Sequence, residues 1–168
     1  MDVVSGFLDQ LAQAWHLWLA GLRLNPTVAD VVIAEGNWIP VITIAVVAAL
    51  STLIGHSVVL FVNRLRGWAL AFSLLVSIVG LLGSLLIEGL ILWGLGRLVF
   101  DAPRTPLEVT KVVILSAAPL VFGFLTAIPL LGPAISRLLS IWSLLVLWAV
   151  VGALYPSGPW VAAGMVLA

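Results

Sequence analysis

Cysteine is absent from the 168 residues, which excludes disulfide scaffolds, thiolate zinc sites, iron–sulfur clusters and thiol catalysis. Charge is almost as scarce. Asp, Glu, Lys and Arg make up 8% of the chain, against the roughly one quarter that covers a water-soluble domain. Seven basic residues balance seven acidic ones, so the basic excess of a nucleic-acid binder is missing and nucleic acid is not expected as a partner. No Ser-His-Asp arrangement, Gly-rich phosphate loop or two-carboxylate site can be assembled at one depth. The chain is therefore not expected to be an enzyme, and no catalytic residue, metal site or cofactor is assigned.

What is present is apolar: 63% of the residues are hydrophobic and the mean hydropathy is +1.28. Such a surface needs a bilayer as solvent, so the expected fold is an all-α polytopic membrane helix bundle, with membrane lipids as its first partner. Uncharged runs of about 20 residues predict four full spans. The first covers 38–62 and is closed by Asn63, Arg64 and Arg66. The second covers 68–96 and is interrupted only by Glu88. The third and fourth, 112–130 and 135–155, are joined by Pro129-Leu-Leu-Gly132-Pro133, whose composition predicts a tight antiparallel hairpin. Between Asp101 and Lys111 the prolines and charges predict a surface loop. After a second loop at 155–159, the stretch 160–168 is too short to cross as a helix. It is expected to be a re-entrant or interfacial stub, or a fifth span cut short.

The N-terminal segment, 1–24, is expected to lie on the membrane as an amphipathic helix. Leu8, Leu11, Trp15, Trp18 and Leu22 recur at three- and four-residue spacing. A cleaved signal peptide is not expected, because Asp2 and Asp9 stand where positive charge would be required. Four spans put the N-terminus with the 97–111 and 155–159 loops, and a surplus of one positive charge on that side favours a cytoplasmic N-terminus. The expected location is a prokaryotic cytoplasmic (inner) membrane.

Glu88 is the first candidate for chemistry, since a carboxyl deep in a hydrocarbon run is costly and rarely faces lipid. Ser73, Ser77, Gly80, Ser84 and Glu88 share one stripe of the second helix, a small, polar face suited to contact other helices. Glu88 is read as a packing residue, held neutral or fully hydrogen-bonded, in preference to a proton or cation relay. His56 shares a stripe with Ala45, Ala49, Thr52 and Asn63. An antiparallel hairpin sets His56 level with about Leu75 and Glu88 with about Thr43, which disfavours a direct relay between them. Ser116, Pro119, Gly123 and Thr126 form a small-residue face on the third helix, and Ser136, Ser140 and Ser143 one on the fourth. Pro119 is expected to kink its helix and to free a carbonyl for a Ser or Thr neighbour. Trp15, Trp18, Trp38 and Arg137 are read as interfacial anchors, like Trp68, Trp93, Trp160 and Arg97.

The order Leu24-Asn25-Pro26, Trp38-Ile-Pro40, Asp101-Ala-Pro-Arg104-Thr-Pro106, Ser116-Ala-Ala-Pro119, Ile128-Pro129-Leu-Leu-Gly132 and Ile141-Trp142 resembles the Yip family over about Leu22 to Leu154. These are five-helix membrane proteins named for interaction with Rab-type GTPases, with many prokaryotic relatives. The resemblance implies a cytosolic N-terminus and an organising or adaptor role. The Asp-Leu-Tyr-Gly-Pro segment of eukaryotic members is absent, so Rab-type GTPase binding is not expected. The functional expectation is a non-enzymatic integral membrane scaffold or accessory subunit that docks other integral membrane proteins through small-residue helix faces. The alternative is a small transporter or permeability component that uses Glu88.

Overall fold

The computed structural model describes residues 3–34, 38–62, 68–100, 103–155 and 159–167, and all regular structure among them is helical. Helix α1 (Val3–Leu22) leads through a corner into the short α2 (Val28–Ala34). Two long apolar helices follow, α3 (Ile39–Val62) and α4 (Trp68–Phe100). Next come α5 (Pro106–Leu115), a 3-10 helix (Ala118–Ala127), α6 (Gly132–Leu154) and α7 (Pro159–Leu167).

The corner after α1 is built locally. Asn25 N–H donates to Ala20 C=O and Leu24 N–H to Gly21 C=O, the paired bonds that close a helix whose next residue is left-handed. Leu24 takes that conformation at φ 55°. The Asn25 side chain then accepts from the Thr27 backbone N–H and hydroxyl, turning the chain into α2.

Helix α5 is the centre of the molecule. Every residue from Val109 to Leu115 is buried, including Thr110 and Lys111, and α1, α2, α3, α4 and α6 all pack on it. A helix buried on all sides must be apolar all round, and Val-Val-Ile-Leu at 112–115 meets that need. Its start lies in the stretch expected to be a surface loop. Thr105 caps it, accepting from Glu108 N–H, while the Glu108 carboxylate accepts from Thr105 N–H, and Pro106 occupies the first turn. The T-x-x-E spacing at 105–108 was the readable signal for this start.

The expected continuous span over 112–130 is therefore corrected. The chain leaves the α-helix at Ser116 and continues as a 3-10 helix, bent by 41° from α5. Pro119 explains the break: it has no N–H, and its ring in a straight helix would strike the Leu115 carbonyl. The turn that follows is tight. Gly132 N–H donates to Ile128 C=O, Leu131 N–H donates to Pro129 C=O, and α6 returns against the 3-10 helix.

The count of spans is also corrected. Among the described residues, two helices are long and apolar enough to cross a membrane, Leu75–Val99 and Gly132–Leu154. A third is reached only if the bent pair 106–115 and 118–127 counts as one span. The first expected span, 38–62, falls on α3, whose described apolar part is Ile39–Gly55. Two to three candidate spans are compatible with an integral membrane protein. The expected hairpin tip at Asn63, Arg64 and Arg66, Asp101, and most of the 155–159 loop lie outside the described residues.

The expected stripe of α1 divides, with Trp18 and Leu22 packed against the core. Leu8, Leu11 and Trp15 are exposed, whereas Ala14 and Leu17 are buried and face the core. Helix α7 packs on α6 and α4 through Ala162 and Met165.

Candidate functional site

The break after α5 exposes backbone carbonyls in the interior, and side chains from three other helices satisfy them. Ser143 of α6 donates its hydroxyl to Ser116 C=O at 2.6 Å. The indole N–H of Trp18 on α1 donates to Ala118 C=O at 2.9 Å. Ser51 of α3 donates to Val121 C=O at 2.6 Å and accepts from Phe124 N–H at 2.9 Å. Irregular backbone in a hydrocarbon environment persists only where protein groups replace its lost bonds, and these contacts do so. Close approach makes them possible. A Cβ on Gly123 would lie 2.7 Å from Thr52 Oγ1 and 2.8 Å from Thr52 Cα, and one on Gly55 would strike Thr126 Oγ1. Thr52 Oγ1 is buried without a hydrogen-bond partner beside this crossing.

Glu88 projects from the middle of α4 into the space between α4 and α6. One cavity of about 220 Å³ joins Glu88 to Ser116, Leu120, Ser140, Ser143, Leu144 and Leu147. A second, of about 380 Å³, runs from Glu88 and Ser84 past Ile87 and Ile91 to Met165 and Val166 of α7. Leu147 lines both. The carboxyl is half-buried and makes no hydrogen bond among the described residues. The serine faces expected on two separate helices thus meet at one carboxyl.

The other expected residues are dispersed. Ser77 donates to Ser73 C=O and lines a small cavity with Ala49 and Thr52, between α3 and α4. Gly80 is exposed with open space where a Cβ would stand, and Ser84 is exposed, donating to Leu81 C=O. His56 belongs to α3, but its side chain lies outside the described ones, as does that of Trp160. Thr52 lines that cavity opposite Ser77 and Leu81, so the backbone positions of His56 on α3 and Glu88 on α4 fall on opposite sides of it along the bundle. Pro119 is buried at the start of the 3-10 helix.

Among the expected anchors, Trp18 is half-buried in an aromatic row, packing on the exposed Trp15 and on Phe122, and Phe122 stacks on Trp142. Trp38 lies beneath Lys111, whose ammonium is 4.8 Å from its ring centroid, a cation–π contact at a residue 5% exposed. Trp93 donates to Arg104 C=O, and Arg137 is exposed near the start of α6. Lys111, Ser51 and Tyr155 were missed by sequence reasoning. No local pattern marks them, because their partners lie on other elements. Among the described residues, no three His, Asp or Glu side chains gather as a metal site.

Comparison with family models, curated proteins and solved structures finds no match to this chain.

Proposed function

We propose that the protein is a non-enzymatic integral membrane scaffold or accessory subunit that docks other membrane proteins within the bilayer. The observation that carries this reading is the bareness of α4. Only 17% of the most apolar stretch of Leu75–Val99 is buried, against 28% for Gly132–Leu154. Gly80 and Gly83 have nothing within 4 Å of a would-be Cβ, so another helix can approach its backbone closely there. Helix α3, at 24 residues about 36 Å long, is taken as a further span, which restores four crossings if the bent pair counts as one. Membership of the Yip family belongs to the same proposal, supported by its Asn-Pro, Ala-Ala-Pro and Ile-Trp motifs, as does a cytoplasmic N-terminus. The test is photocrosslinking in native membranes from positions 80 and 84. Discrete adducts with other integral proteins support the scaffold, and their absence, with crosslinks to lipid only, rejects it.

A second reading, a small transporter, is favoured by the two cavities that share Glu88. Flux of protons or a solute by the purified protein in liposomes, abolished by Glu88→Gln, would select it over the scaffold.

A further inference from the structure

We propose that the cleft at Glu88 receives a transmembrane helix of a different protein, one that carries a basic side chain at its midpoint. This rests on the scaffold reading and names the chemistry of its partner. Depth is the first argument. The midpoints of Leu75–Val99 and Gly132–Leu154 fall at Ile87 and Ser143, so Glu88 and Ser143 stand halfway along the two candidate spans. Charged groups at that depth are costly in lipid and are found paired.

The shape of the cleft gives the second argument. Helices α4 and α6 both pack on α5 and on α7, which stand between them. Ser116 and Leu120 form the back wall of the space, and Met165 and Val166 bound one flank. Its outer lip is Ile87, Ser140 and Leu144, all exposed, so it opens sideways, towards lipid or a neighbouring helix.

The chemistry of the lining decides what enters. Ser143 gives its hydroxyl proton to Ser116 C=O, and Ser140 gives its own to Ser136 C=O. Both serine oxygens can therefore only accept, as does an ionised Glu88. Among the described residues, neither cavity has a Lys, Arg or His in its wall. The cleft is a cluster of acceptors in need of a donor, which lipid tails do not supply. A Lys ammonium brings three donors and a guanidinium five. Among the described side chains a second copy of this chain offers no match: Arg97 and Arg137 lie towards the ends of their spans, and Lys111 is buried in α5 against Trp38.

The experiment uses the full chain in lipid bilayers, labelled with a fluorescence donor at an introduced Leu98→Cys. Acceptor-labelled poly-Leu-Ala transmembrane peptides differ only at the central residue: Lys, Leu or Glu. The Lys peptide is expected to associate roughly tenfold more tightly than the Leu peptide. Glu88→Leu should erase that preference, Glu88→Gln should reduce it, and Glu88→Lys should transfer it to the Glu peptide. Helicity and monodisperse elution identify variants that fold, and Glu88→Gln preserves shape if the others fail. Equal binding of the Lys and Leu peptides overturns the proposal, as does a Lys preference that survives Glu88→Leu. A Glu88-dependent response of tryptophan fluorescence to Na⁺ or pH, with no peptide preference, also overturns it and assigns the cleft to a small cation. If the peptides fail while positions 80 and 84 still crosslink to membrane proteins, this inference falls and the scaffold stands. If crosslinking fails too, both fall.

Discussion

Two leucines hold a backbone conformation that their side chains disfavour. Leu24 has φ 55° after α1, and Leu130 has φ 69° in the turn before α6. Leu130 is 98% exposed, so its side chain contributes little packing. Leu130→Gly should raise stability by about 1 kcal/mol by relieving the left-handed strain. Unfolding in a denaturing detergent series would show this as a later midpoint. Tyr155, the only tyrosine, is fully buried and donates its hydroxyl to Leu92 C=O at 3.2 Å, lying over Gly96. Neither feature was legible, since a leucine says nothing of its φ and a tyrosine nothing of its distant partner.

At the scale of elements, the α3 crossing with the 3-10 helix holds the broken segment in place. Ser51→Ala would leave Val121 C=O and Phe124 N–H without their partner, at a cost of about 1–3 kcal/mol. Gly123→Ala would press a methyl against Thr52 and cost a similar amount through overpacking. Thermal or detergent unfolding of both variants checks this. Unchanged midpoints would mean that the two elements do not touch as described. The break itself was half legible. Pro119 announced a kink, but the severity of it depended on donors from Ser143, Trp18 and Ser51, which lie 27, 100 and 70 residues away from their acceptors. The early start of α5 was legible in Thr105 and Glu108 and was overridden by the charges and prolines around them.

For the whole molecule, α1 presents Leu8, Leu11 and Trp15 outwards while Ala14 and Leu17 hold it to the bundle. That arrangement suits a helix lying at the bilayer surface, apolar towards both lipid and protein. Cysteines at Ser5 and Thr27, the two ends of α1 and its corner, should then react with an impermeant reagent from the same side of the membrane. Reaction from opposite sides would make α1 a crossing and invert the topology.

Composition set the expectation of a membrane protein, because a surface this apolar suits a bilayer, and the two to three candidate spans are compatible with it. The runs of hydrophobic residues likewise located α3, α4 and α6 to within a few positions, since length and charge along one helix are local properties. Tertiary structure alone decided that α5 is the buried centre, how completely the expected third span breaks, and that Glu88 meets Ser140 and Ser143 in one cleft. The physical reason is that each of these depends on which surfaces of separate helices come together. Small residues, which allow close approach on any side, leave that choice open in the sequence.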